Sequence, residues 1–126
     1  MQLDADSERP IFIQLAENIE DAILKGIYPE ETQIPSTTEI AVTLKVNPAT
    51  ANRGVNLLVD SGVIYKKRGV GMFVSAGAKN NIITRRRKAF FQAYVVTLLD
   101  EAKNLGLSQE DVIAMIKNER NSDEHH

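Results

Sequence analysis

The sequence predicts a mainly α fold with a small β-hairpin wing: a winged helix-turn-helix followed by a two-helix C-terminal dimerisation unit. Three observations carry this prediction. Ser36-Thr37-Thr38-Glu39 has the spacing of a helix-opening capping box, ahead of an apolar stripe at Ile40 and Leu44. Asn47-Pro48 then pairs a good N-cap with a proline at the first helical position, where its missing N–H costs nothing. Val63 to Val74 reads as two short strands around a basic, glycine-containing turn. Helix, tight turn, capped helix and basic hairpin, in that order, is the plan of a domain that reads duplex DNA.

Residues 1–8 are polar and predict a poorly ordered start. Pro10 opens a helix with Ile11, Leu15, Ile19, Ala22 and Ile23 at helical spacing, and Gly26 closes it. Ile27 to Gln33, with Pro29 and several acids, predicts a loop. After the helix at Ser36, Lys45-Val46 makes the turn, and the second helix of the motif runs from Pro48 to about Ser61, stopped by Gly62. Ser75 to Asn81 is small and polar and reads as a linker. The expected domains are therefore residues 1–76, the winged helix-turn-helix, and residues 77–126, a linker and a helical unit.

From about Ile82 a new helix carries Phe91, Tyr94, Val95, Leu98, Ala102 and Leu105 on one broad face, up to Gly106. Ser108-Gln109-Glu110-Asp111 then caps another, with Val112, Ile113, Met115 and Ile116. A helix pair of this size cannot bury such wide apolar faces alone. Either the pair folds back on the first domain or it pairs with a second chain; the polar linker favours a homodimer, with Phe91, Tyr94, Val95, Leu98, Ala102, Leu105, Val112, Met115 and Ile116 at its interface. Arg85-Arg86-Arg87-Lys88 falls in the expected first turn of this unit. It reads as solvated charge or, more sharply, as an anion site opposing the helix dipole.

The 126 residues carry a net charge of −2, with 43% hydrophobic and 25% charged residues, an ordinary balance for a soluble globular protein. An acidic total argues mildly against a nucleic-acid partner, so its distribution matters. Between Thr43 and Gly71, Lys45, Arg53, Lys66, Lys67 and Arg68 face Asp60 alone, while the acidic surplus lies towards the N-terminus. Phosphate contact needs local positive charge, not a basic total. With no cysteine, the chain has no disulfide framework and no thiolate chemistry. No apolar run suggests a membrane span or signal peptide, so a cytoplasmic location is expected. His125 and His126, the only histidines, read as remnants of an added tag rather than as a metal site.

On a helix starting at Pro48, Ala51, Val55 and Leu58 form the core stripe, and Ala49, Arg53, Asn56 and Asp60 point away from it. The N-terminal part of a recognition helix enters the major groove, so Ala49, Thr50, Asn52 and Arg53 are the candidate readers. Arg53 can bind guanine O6 and N7, Asn52 adenine N6 and N7, and Ala49 a thymine methyl. Ser36, Thr38 and Asn47 open helices whose free N–H groups suit phosphates. In the hairpin, alternation puts Lys66 and Arg68 on one face and Lys67 with Tyr65 on the other, with Gly69 and Gly71 allowing close approach. The rival reading of these cations is a solvated edge that guards against aggregation.

Pro10-Ile11-Phe12-Ile13-Gln14-Leu15, Ile34-Pro35-Ser36, Val46-Asn47-Pro48-Ala49-Thr50, Arg53 and Arg68-Gly69-Val70-Gly71-Met72-Phe73-Val74 together resemble the N-terminal domain of the GntR family of bacterial transcription regulators, over about residues 10–75. The Asn47 to Thr50 form and the short remainder are similar to the YtrA-like short subfamily. The resemblance implies a repressor that acts as a homodimer on a palindromic double-stranded DNA operator. Thr38 stands where many relatives have arginine, and Pro48 and Asn52 replace arginines usual at the start of the recognition helix, which leaves Arg53 to carry the load.

Two other function classes compete. No internal histidine, glycine-rich phosphate loop or spaced carboxylate pair forms a catalytic constellation, so neither an enzyme nor a cofactor is expected. A winged-helix protein-interaction module would suit the acidic total, but leaves the cations at the helix start and hairpin turn unexplained. The residues after the winged domain are too few for a second core around a metabolite. Any small-molecule effector is unknown and would have to use the dimer crevice between the C-terminal helices or the seam between them and the winged domains.

Overall fold

The computed structural model describes the backbone of residues 2–124 and the side chains of residues 2–118. The two histidines read as tag remnants lie outside the described residues. The chain divides into two compact units, Met1–Thr84 and Arg85–His126. The division falls later than the 76/77 boundary read from the sequence, because the segment taken as a linker is mostly helix.

In the first unit, α1 (Ile11–Leu24) buries Leu15, Ala16, Ile19, Ala22 and Ile23, the stripe that helical spacing dictates. The residues before it are not the loose start that their polarity suggested. Asp4 donates its N–H to Gln14 Oε1 (2.7 Å), and Gln14 Nε2 donates back to the Asp4 and Arg9 carbonyls (2.9 and 2.8 Å). Asn18 Nδ2 donates to the Gln2 carbonyl at 2.9 Å, and Leu3 packs against the core. The segment lies along α1, held by side chains that the apolar pattern ignores.

Helix α2 (Thr37–Leu44) opens with the expected capping box: Glu39 N–H donates to Ser36 Oγ at 3.1 Å, and Ser36 N–H to Glu39 Oε1 at 3.3 Å. Lys45 ends it in the left-handed conformation (φ 55°). Helix α3 (Pro48–Asp60) starts on Asn47, whose Oδ1 accepts from Ala49 N–H at 2.8 Å. Its buried residues are Ala51, Val55 and Leu58, as the spacing requires, together with Gly54. At Gly54 a Cβ would lie 2.7 Å from Leu15 Cδ2 and 2.8 Å from the Phe12 carbonyl oxygen. Only glycine lets α1 and α3 approach this closely.

The wing is a three-stranded antiparallel sheet rather than a lone hairpin. Strands β1 (Gln33–Ile34), β2 (Ile64–Lys67) and β3 (Gly71–Val74) lie in the order β1-β3-β2, with Gln33 opposite Phe73, Tyr65 opposite Phe73 and Lys67 opposite Gly71. β1 was read as loop because two residues show no period. Its strand character comes from pairing with β3, distant in sequence. The inner face places Ile34, Ile64, Met72 and Val74 in the core with α1, α2 and α3.

Helix α4 (Ala78–Phe90) begins inside the segment expected to be linker. Ala78 and Ile82 are fully buried in the winged core, and Asn81 Nδ2 donates to the Ser61 carbonyl at 3.0 Å. Glu30, from the loop before β1, caps this helix: Oε1 accepts from Gly77 N–H at 2.8 Å and Oε2 from Lys79 N–H at 3.2 Å. These two backbone donors hold the Glu30 carboxyl below its ordinary pKa. The helix start at Ala78 also removes the dipole argument for an anion site at Arg85 to Lys88. These residues lie beyond the first turn, where the end effect has faded, and at about 100° per residue they point all round the axis.

In the second unit, α4 continues through a π-helical stretch (Phe91–Val96) into α5 (Thr97–Asn104), and Gly106 separates α6 (Gln109–Glu124). Ser108 and Asp111 cap α6 reciprocally at 2.8 and 3.0 Å, which lowers the Asp111 carboxyl pKa. A π turn holds one residue more than an α turn, so it absorbs about 100° of rotation. The single face read through this region from α-helical spacing is therefore out of phase beyond Val96. Among the described residues of the packed pair α5 and α6, Ala102 and Val112, expected at a dimer interface, are instead the buried ones within one chain. Phe91, Tyr94, Leu98, Leu105, Met115 and Ile116 remain exposed, Val95 is half-buried, and Phe90 and Ile113 join the exposed apolar set. The Phe90 and Tyr94 rings meet at 5.4 Å.

Candidate nucleic-acid interface

The outward face of α3 carries Ala49, Asn52, Arg53 and Asn56, all exposed, with Thr50 half-buried beside them. Asn47 Oδ1 is spent on the helix cap, so only its amide remains to serve a ligand. The Ser36 hydroxyl is likewise engaged in its capping box, and Thr38, one residue into α2, is exposed. Arg53 is not a free surface arginine. Its guanidinium carbon lies 3.9 Å from the centroid of the Phe12 ring in α1.

The wing cations divide by strand geometry. Lys66 stands opposite Met72, on the face of the sheet that turns inward, and its Nζ donates to Asn56 Oδ1 at 3.2 Å. Lys67 is on the other face, its Nζ 4.8 Å from the Phe73 centroid, where Phe73 stacks on Tyr65 at 5.7 Å. Arg68 lies beyond the strand over which alternation placed it on the face of Lys66. β2 ends at Lys67, and Arg68, Gly69 and Val70 form a turn closed by Val70 N–H donating to the Lys67 carbonyl at 3.0 Å.

Gly69 has φ +77° in open space, and Gly71 has φ +145° with the Gln33 side chain where a Cβ would stand. Gln33 Nε2 donates to the Val70 carbonyl at 3.1 Å, bracing the turn. An open cleft of about 540 Å³ runs between the start of α2 (Ser36, Thr37, Glu39) and the wing from Lys66 to Met72. Ser36 and the wing residues are thus brought together, while the α3 readers form a separate surface joined to the wing through Asn56 and Lys66. Phe12, Gln33 and Phe73 were given no site role in the sequence reading. Phe12 gave one signal, an aromatic beside rather than on the buried stripe of α1.

Among the described residues no group of His, Cys, Asp and Glu could hold a metal ion, and no helix is long and apolar enough to cross a membrane. The sequence pattern of the bacterial regulatory proteins of the gntR family matches residues 13–74. The HTH-type transcriptional repressor YtrA of Bacillus subtilis (strain 168) is 27% identical over 117 residues, covering 93% of this chain and 89% of that protein. A solved structure of a GntR-family regulator from Bacteroides thetaiotaomicron is 36% identical, with a TM-score of 0.74, over 90% of this chain and 98% of that one. A GntR family transcriptional regulator from Listeria monocytogenes is 27% identical, with a TM-score of 0.65, over 90% of this chain and 97% of that one. These relatives are regulators of transcription, not enzymes. With the winged fold and the matched pattern coinciding on the same residues, the chain belongs to the GntR family of DNA-binding bacterial transcription regulators.

Proposed function

We propose that the protein is a cytoplasmic repressor that binds a palindromic operator as a homodimer. The observation that carries this reading is the exposed row Ala49, Asn52 and Arg53 on the first turns of α3, flanked by wing cations tied to the same helix through Lys66 and Asn56. In this reading α3 enters the major groove. Arg53 and Asn52 bind purine edges, Thr50 serves a base or phosphate, and Ala49 meets a thymine methyl. The starts of α2 and α3, at Ser36, Thr38 and Asn47, offer N–H groups to the backbone, and Lys66, Lys67 and Arg68 neutralise phosphates beside Gly69 and Gly71.

The homodimer uses the apolar residues that unit two leaves exposed: Phe91, Tyr94, Leu98, Leu105, Met115 and Ile116, with Val95 beside them. Paired recognition helices then address half-sites one helical turn apart, about 10 bp, or a multiple of that. Repression is supported by the likeness to YtrA over most of both chains. The test is electrophoretic shift of the gene's own upstream region at moderate salt. Retention there and not on a scrambled duplex is expected, and Arg53→Ala should cost about 1–3 kcal/mol. Equal retention of both duplexes removes sequence reading and leaves only phosphate binding, whereas retention of neither leaves the fold to serve protein contacts.

A further inference from the structure

Arg53 and Phe12 come from different helices, yet one contact fixes both. Gly54, next to Arg53, has no Cβ, and the Phe12 carbonyl oxygen sits 2.8 Å from where one would be. The α1–α3 crossing therefore sets the backbone of Phe12 against the backbone beside Arg53. From this position the half-buried Phe12 ring receives the guanidinium on its face, 3.9 Å from carbon to centroid.

A guanidinium has two separable recognition surfaces. Its face stacks on an aromatic ring, while its N–H donors lie in its own plane and point outward along the edge. Binding guanine O6 and N7 uses only the edge. Stacking on Phe12 therefore leaves the base-reading donors free and narrows the many rotamers of a long, exposed side chain. Less freedom is then lost when the edge meets a base.

We propose that Phe12 is a specificity-determining positioning residue: its ring is the platform that presents the Arg53 guanidinium edge-on to a base pair in the major groove. This inference rests on the reading of Arg53 as a base reader. It assigns to α1, outside the helix-turn-helix proper, a part in sequence preference, through an aromatic that touches no DNA.

The experiment uses the full chain and the duplex that the wild-type protein enriches from a random pool, with a scrambled duplex as control. Phe12→Leu keeps an apolar side chain and removes the ring, and Phe12→Tyr keeps the ring. Phe12→Leu is expected to weaken the enriched duplex about tenfold and leave the scrambled duplex unchanged, while Phe12→Tyr binds as wild type. In the free protein, the Arg53 Cδ protons should be shifted upfield by the ring in wild type and Phe12→Tyr, and return to ordinary values in Phe12→Leu. Phe12→Leu combined with Arg53→Ala should bind no more weakly than Arg53→Ala alone, as coupled residues do.

Wild-type binding by Phe12→Leu, an equal loss on both duplexes, or additive losses in the double variant would each overturn the platform while Arg53→Ala still impairs binding. If Arg53→Ala binds the enriched duplex as wild type does, the base-reader assignment itself fails and the platform with it.

Discussion

The Gln33 side-chain amide donates to the Val70 carbonyl at 3.1 Å and lies across the site where Gly71 lacks a Cβ. A residue of the short strand β1 thus braces the tip of the wing. Gly71→Ala would force a positive φ on alanine and push Gln33 aside, a combination worth about 1–3 kcal/mol of strain. Urea unfolding should show a lower midpoint with an unchanged slope. An unshifted midpoint would mean that the turn relaxes freely and Gln33 braces nothing.

Lys67 and Arg68 are exposed wing cations, expected at phosphates rather than bases. Replacing either with alanine should weaken specific and scrambled duplexes evenly. It should also reduce the slope of log affinity against log salt by about 1. A loss confined to one base position would instead make the residue a reader.

Leu98 and Ile116 are 46% and 53% exposed within one chain. If they meet a second chain, Leu98→Glu or Ile116→Glu buries a charge without a partner there. Sedimentation should show monomers at micromolar concentration, and operator affinity should fall by about 100-fold or more because two linked contacts become one. A wild-type monomer under the same conditions rules this interface out.

Two capping carboxylates set an acid limit on stability. Backbone N–H groups hold both Glu30 and Asp111 below their ordinary pKa values of 4.5 and 3.8, so the folded chain binds their protons less readily than the unfolded chain. Their stabilisation is complete above those ordinary values and is lost as pH falls through them towards the lower folded values. Thermal unfolding from about pH 7 to pH 3 should show Glu30→Gln less stable than wild type at neutral pH, with the gap closing in acid. A gap constant with pH would mean that Glu30 acts without its charge.

What the sequence disclosed was whatever neighbouring residues decide among themselves. Ser36 with Glu39, Asn47 with Pro48, and the stripe Ala51, Val55, Leu58 are local bargains, and all three appear as read. The features that escaped depend on residues far apart in the chain. β1 exists because Gln33 and Ile34 pair with Phe73 and Met72, and the apparent linker is helix because Glu30 reaches Gly77 and Lys79. The candidate readers on α3 were legible by angle alone. That Arg53 lies against Phe12 needed the crossing of two helices at Gly54, which composition and periodicity do not encode.

The π-helical stretch Phe91–Val96 marks where this chain can change length at least cost. One residue removed there lets the stretch close into ordinary α turns, and the helix on either side keeps its angular setting. The same deletion placed in α5 beyond Ala102 would turn the chain that follows by about 100° and carry α6 away from its packing on α5. Relatives one residue shorter in this region are expected to have lost it between Phe91 and Val96, and to show an unbroken α-helix in its place.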